Sequence, residues 1–151
     1  MNLSKRQFMT YSAASVIAVS LGMPVGQVLA LADETNKRIN DFTGGKKPVP
    51  GKVSLTTPEI AENGNTVPIT VDVESPMTKD DYVAAVLILA DGNPRPGVAT
   101  FRFSPMSGEA SATTRIRLAK TQNVIAVAKM SDGSLHIDKK VVKVTIGGCG
   151  G

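Results

Sequence analysis

The sequence predicts an all-β protein, an immunoglobulin-like antiparallel β-sandwich with a short N-terminal helix and a flexible Gly-rich C-terminal tail. Three observations predict it. About seven short apolar runs of strand character follow one another at spacings of roughly 8–12 residues. Turn-forming clusters separate several of them: Asp91-Gly92-Asn93-Pro94, Pro105-Met106-Ser107-Gly108 and Ser131-Asp132-Gly133-Ser134. The chain has 151 residues, 42% of them hydrophobic and 20% charged, a composition that supports one buried core and is not that of a disordered segment.

Residues 1–32 contain no Asp or Glu. Lys5 and Arg6 precede an apolar stretch from Ala13 to Leu21, a helix-breaking Gly22 and Pro24, and small residues at Ala30 and Ala32. This is the order of an export signal peptide, with removal expected after Ala32 and Asp33 as the new N-terminus. Ser12, Ser15, Ser20, Gly22, Pro24 and Gln27 interrupt the apolar run, which argues against a stable membrane anchor. Ser4-Lys5-Arg6-Gln7-Phe8-Met9 resembles a twin-arginine export signal with Lys in place of the first Arg. The Lys leaves Sec export open as well, and either route ends in the periplasm.

Asp33 to Thr43 is polar apart from Ile39 and Phe42, whose spacing puts them on one side of a short helix. Gly44 to Gly51 is a linker by composition, so residues 33–51 form the helix-and-linker segment. The sandwich occupies residues 52–146. Lys52 to Thr56 is a short first strand, and Val67 to Glu74 alternates with Val67, Ile69, Val71 and Val73 on one face. Val83 to Ala90 is nearly continuously apolar, as in a central strand covered on both sides. Val98 to Phe103 places Phe101 and Phe103 together, and Ala112 to Leu118 sets Ile116 and Leu118 against Arg115 and Arg117. Val124 to Met130 is again apolar, and Lys140 to Ile146 alternates Val142, Val144 and Ile146 with Lys143 and Thr145. The apolar strands are core, or, where a face is left uncovered, a surface for a partner.

Composition excludes several functions. There is no Trp and aromatic residues are 4% of the chain, so an aromatic cage or base-stacking platform is not built here. A single Cys excludes an intrachain disulfide, and a single His leaves too few soft ligands for a zinc or iron–sulfur site. No cofactor motif is present. The formal charge is +4, and setting aside Lys5 and Arg6 leaves 15 basic against 13 acidic residues, a net +2 that argues against nucleic acid as a partner.

The chemistry lies in residues 147–151, Gly147-Gly148-Cys149-Gly150-Gly151. The core needs none of them, and glycine carries the highest entropy cost of ordering, so the tail is expected to be a mobile arm. Five extended residues reach roughly 17 Å at about 3.3–3.6 Å each. A thiol there has no neighbouring base or oxyanion donor in sequence, which disfavours a nucleophilic catalyst and suits a handle for covalently held cargo. A chance terminal Cys, or one used for an intermolecular disulfide, fits the same residues. In an oxidising compartment a retained lone thiol is notable.

The terminal GGCGG, the stretch Pro58-Glu59-Ile60-Ala61-Glu62-Asn63-Gly64, the strand Val67 to Glu74 followed by Ser75-Pro76-Met77, and Asn93-Pro94-Arg95-Pro96 together resemble the SoxY family. These are the sulfur-carrier subunits of the bacterial sulfur-oxidation (Sox) system. The likeness runs over essentially the whole chain, and the tail is its specific signal. It implies that a c-type cytochrome complex joins Cys149 oxidatively to thiosulfate and that a manganese-dependent hydrolase releases the terminal sulfonate as sulfate. It implies further that a molybdenum sulfane dehydrogenase oxidises the remaining sulfur, or that this sulfur is passed on. By the same resemblance the chain is a carrier and not an enzyme, pairs with a SoxZ-like β-sandwich subunit, and can form disulfide-linked pairs through Cys149. Gly147, Gly148, Gly150 and Gly151 would be its flexible arm.

Two other functions fit parts of the sequence: a thiol-dependent redox enzyme, which lacks a CxxC or a resolving Cys, and a structural sandwich module whose tail is incidental. His136 reads as an ordinary strand or loop residue, and Asp80-Asp81 as solvated loop carboxylates. Lys139, Lys140 and Lys143 stand near the tail and either hold an anionic adduct or protect an edge strand. Arg115 and Arg117 either meet an acidic partner or are simply solvated.

Overall fold

The structure is a computed structural model that describes residues 25–147. The chain divides between Ala30 and Leu31, and of the first unit only the start of one helix is described. That helix, α1, spans Val25–Thr43 and so begins at Val25 where the polar periodicity had suggested Asp33. The reason is local: Leu29, Ala30, Leu31 and Ala32 are strong helix formers that continue the turn pattern. It ends by a Schellman closure, with Gly44 and Gly45 at φ 67° and 82° and the Gly45 N–H donating to the Asn40 carbonyl at 3.0 Å.

Nine strands follow: β1 (Val49–Pro50), β2 (Val53–Thr56), β3 (Ile60–Ala61), β4 (Val67–Val73), β5 (Val83–Ala90), β6 (Gly97–Arg102), β7 (Ala110–Ile116), β8 (Gln122–Met130) and β9 (Leu135–Val144). They form two sheets. The larger runs β1-β9-β8-β5-β6, with β3 also on β9, and the smaller runs β2-β4-β7. The long strands pair antiparallel within each sheet, and the chain switches sheets at every connection except β5–β6 and β8–β9. This is the all-β immunoglobulin-like sandwich that the sequence predicts.

Two features depart from the expected antiparallel pattern. Val49–Pro50, within the stretch read as linker, pairs parallel with His136 and Ile137, and Ile60–Ala61 pairs parallel with Lys143 and Val144. Each is two residues long, too short to leave a periodicity, and together they partly cover the outer edge of β9. That strand also begins at Leu135, not Lys140, because β8 and β9 are joined by the tight turn Ser131–Ser134. There Gly133 has φ 82° and the Gly133 N–H bonds the Met130 carbonyl at 3.0 Å. His136 therefore lies in a strand.

The central strands are buried on both faces. Between the sheets, Val86, Ile88, Ala90, Val124, Ala126, Ala128 and Val142 pack against Leu55, Val67, Ile69, Val71 and Ile116. On the other face, Leu89, Ile125 and Val127 are covered by Ile39 and Phe42 of α1, with Leu87 and Ile137 alongside. The helix residues singled out by their spacing are thus among those that contact the sheet. Phe101 and Phe103 are partly buried against the inner core, as their alternation suggests. Ile88 is fully buried whereas Val141 is 58% exposed. Ile88→Ala is expected to cost about 2–5 kcal/mol of unfolding free energy. Val141→Ala should stay within about 0.5 kcal/mol. Urea denaturation of both variants measures the contrast.

Candidate functional site

Cys149, Gly148, Gly150 and Gly151 lie outside the described residues, as do Lys5 and Arg6 of the expected export signal. The structure does describe the base from which the tail departs, and this end of the sandwich is built by backbone bonds. β9 ends at Val144, two residues before the expected Ile146. Its last amide, Val144 N–H, donates to Thr121 Oγ1 at 2.9 Å. Thr145 N–H donates to the Ala61 carbonyl at 3.1 Å, and Thr145 Oγ1 donates to the Glu62 carbonyl at 3.1 Å. The Ile146 carbonyl accepts from Gly64 N–H at 2.8 Å, and the Gly64 carbonyl accepts from Leu118 N–H at 2.8 Å. The segment from Glu59 to Gly64 is therefore laced between the tail root and the connection from β7 to β8. An Asn63 side-chain bond to the Asn65 N–H, 2.9 Å, sets its bend.

Gly147 comes next, and a Cβ at this position would overlap the carbonyl oxygen of Ala119. Ala119 is itself fixed. Its N–H donates to Asn93 Oδ1 at 3.0 Å, and Asn93 Nδ2 donates to the Arg117 carbonyl at 2.8 Å. Gln122, 6% exposed, donates from Nε2 to Asn93 Oδ1 at 2.9 Å and to the Lys120 carbonyl at 3.0 Å, and accepts from Gly92 N–H at 2.8 Å. Asp91 accepts from the N–H and side-chain amide of Asn123 at 2.9 and 2.6 Å. The Asp91-Gly92-Asn93 turn thus clamps the 117–123 segment on which the tail root rests. Sequence reasoning saw a turn here and missed the clamp, since its partners lie roughly thirty residues away along the chain. The available signal was Gln122, a polar residue opening an apolar strand.

The three lysines near the tail do not form one cluster. Val142 belongs to the inner core and Ile137 to the outer one, so alternation puts Lys139, Val141 and Lys143 on the outer face and Lys140 on the inner. Lys140 Nζ stands 3.9 Å from Asp138 Oδ2, whose carboxylate also accepts the Leu55 N–H at 2.9 Å. Ile60, 56% exposed, sits in register beside Lys143. An open groove of about 460 Å³ lies near the tail root, lined by Pro58, Ile60, Ala61, Glu62, Asn63, Thr66, Val67 and Pro68.

Arg115 is exposed on β7 opposite Pro68, and Arg117 is exposed just beyond it. Asp80 and Asp81 lie in a loop held by Thr78 and Ser131: Asp81 N–H donates to Thr78 Oγ1 at 3.1 Å, and Ser131 Oγ donates to the Asp80 carbonyl at 3.3 Å. His136 Nδ1 is buried without a hydrogen-bond partner. Among the described residues no group of three or more His, Cys, Asp or Glu side chains could hold a metal ion. The carboxyl of Asp132 is held below its ordinary range by the side chain and the backbone N–H of Ser134, the latter at 2.8 Å. That group marks the turn at the opposite end of β8 from the tail root.

Comparison with known proteins agrees with this architecture. Residues 39–149 match the family model described as sulfur oxidation protein SoxY, a span that runs through Cys149. The structure of the sulfur carrier protein SoxY from Chlorobium limicola f thiosulfatophilum superposes with a TM-score of 0.62 and 32% identity, covering 76% of this chain and 99% of that one. Superoxide reductase (neelaredoxin) from Ignicoccus hospitalis superposes with a TM-score of 0.56 at 18% identity, over 62% of this chain and 80% of the other. A putative superoxide reductase from Thermotoga maritima does so with a TM-score of 0.53 at 23%, over 69% and 90%. These last two share the sandwich alone. No curated protein sequence matches the chain. The fold is that of the immunoglobulin-like sandwiches, and the chain belongs to the SoxY family.

The clamp gives a direct expectation. Asn93→Ala removes an acceptor from Ala119 N–H and from Gln122 Nε2, and should lower unfolding free energy by about 1–3 kcal/mol. Thermal or urea unfolding measures the loss, and hydrogen exchange should locate it at Ala119.

Proposed function

We propose that this chain is a periplasmic sulfur carrier of thiosulfate oxidation, holding sulfur intermediates covalently on Cys149 and presenting them to other proteins' active sites. The observation that carries this reading is the family match, which extends through Cys149, on a chain with no other cysteine. The matched Chlorobium protein is a sulfur carrier by its own description. In sequence Cys149 follows Gly147 by two residues, and the described tail root before it is bonded through Thr145 and Ile146.

In the cycle we propose, the Cys149 thiolate and thiosulfate join through a new S–S bond. The electron pair released passes to a c-type cytochrome complex that catalyses the joining. Hydrolysis takes up water, frees the terminal sulfonate as sulfate and leaves a persulfide on Cys149. A sulfane dehydrogenase oxidises the outer sulfur of the persulfide to a sulfonate, with oxygen from water and the electrons taken up by that enzyme. Hydrolysis then frees it as sulfate and returns the Cys149 thiol. Otherwise the outer sulfur passes to a nucleophilic acceptor and the thiolate is left behind. Every chemical step belongs to a partner enzyme; the carrier contributes the thiol and its placement. A SoxZ-like subunit completes the heterodimer, and tail-to-tail disulfide pairs through Cys149 are a side product of oxidation.

Intact mass spectrometry of the protein from cells grown on thiosulfate tests this reading. Sulfur or sulfonate adducts that a reductant removes should map to Cys149 and be absent in Cys149→Ser. A bare thiol under those conditions overturns the reading. The same spectra test export: the purified protein should begin at Asp33, and retention of residues 1–32 would contradict signal removal. Deleting residues 148–151 should abolish loading and shift the thermal midpoint by less than about 1 °C, since the bonded root is left intact.

A further inference from the structure

In a tail of four glycines and one cysteine, each glycine invites the same explanation, freedom of the chain. Gly147 has a different one. The carbonyl oxygen of Ala119 occupies the space that a Cβ would fill, and the opposing atom is backbone, which cannot swing aside as a side-chain end can. Nor is Ala119 free to retreat, because its N–H is bonded to Asn93 and the next turns of chain are held by Gln122. From the other side, Ile146 is tied to Gly64 at 2.8 Å. Gly147 is thus confined between two bonded segments.

We propose that Gly147 is the fixed pivot of the carrier arm, a positioning residue seated against Ala119. The inference rests on the carrier reading for what the arm does, but the seating of Gly147 stands without it. It shortens the arm. Cys149 follows the pivot by two residues, so its Cα stays within about 7 Å of the Gly147 Cα. β8, with nine residues, is roughly 30 Å long. A tether of about 7 Å from a fixed Gly147 is too short to span β8 to the turn at Gly133, and it starts at the rim formed by Gly64 and Ala119. Any enzyme that processes the cargo has to close around that rim.

Backbone relaxation of the ¹⁵N-labelled protein tests the pivot. The Gly147 amide should have an order parameter near that of the strands, about 0.85, while Gly148, Gly150 and Gly151 fall below about 0.6. Gly147→Val should lower the thermal midpoint by about 4 °C, and Gly148→Val should leave it unchanged. A nitroxide on Cys149, the natural label site, should broaden the amides of Gly64 and Ala119 and spare Gly133. In Gly147→Val the pivot retreats to Thr145 and the broadened zone widens, a change that a merely structural glycine would not produce. A Gly147 order parameter equal to that of Gly150 overturns the proposal, as does broadening that reaches Gly133 in the unsubstituted protein. An ordered Gly147 in a protein whose Cys149 takes up no sulfur would support the pivot while removing the carrier reading. A disordered Gly147 with Cys149 loaded would remove the pivot alone.

Discussion

Two strands that are apolar on both faces set the terms for the rest of this molecule. β5 and β8 carry so little polar surface that each face must be covered by something else. The smaller sheet covers one and the helix covers the other, through Ile39 and Phe42. Burial of this kind is the main favourable contribution to folding, at about 25 cal/mol per Å² of apolar surface. It also fixes register, because a slip of one residue would exchange the two cores. The position of α1, the pairing of β8 with β9, and the end at which the chain leaves the sandwich all follow from that double cover.

From this rigid centre the structure builds outward to a single well-bonded end. The β5–β6 turn, the β7–β8 connection and the Glu59–Gly64 segment are remote in sequence, yet hydrogen bonds from Asn93, Gln122, Thr121 and Gly64 knit them into one platform. It seats the last residues before the tail.

The same sandwich recurs in proteins named superoxide reductases, at identities that speak to fold alone. Two sheets packed around a core admit many functions, and what distinguishes them is grafted at the ends of the strands. Here the family match runs through the chain's single cysteine, Cys149, and the two glycines before it.

The strands were legible because their burial is periodic: Val67, Ile69, Val71 and Val73 alternate, and Val83 to Ala90 is apolar throughout. Ile39 and Phe42 were legible for the same reason, at the helical period. By itself the sequence determined the sandwich class, the family and the position of the thiol, since each is carried by a local pattern of residue types. Only the tertiary structure decided that Val49–Pro50 and Ile60–Ala61 would be strands, for a two-residue segment has no period and is strand only where an open edge meets it. It alone put Lys139 into the strand, on the face that Lys143 shares, because β9 begins at Leu135. And it alone set a steric requirement at Gly147. The atom that requires a glycine there is the carbonyl of Ala119, brought close by the fold and invisible to any reading along the chain.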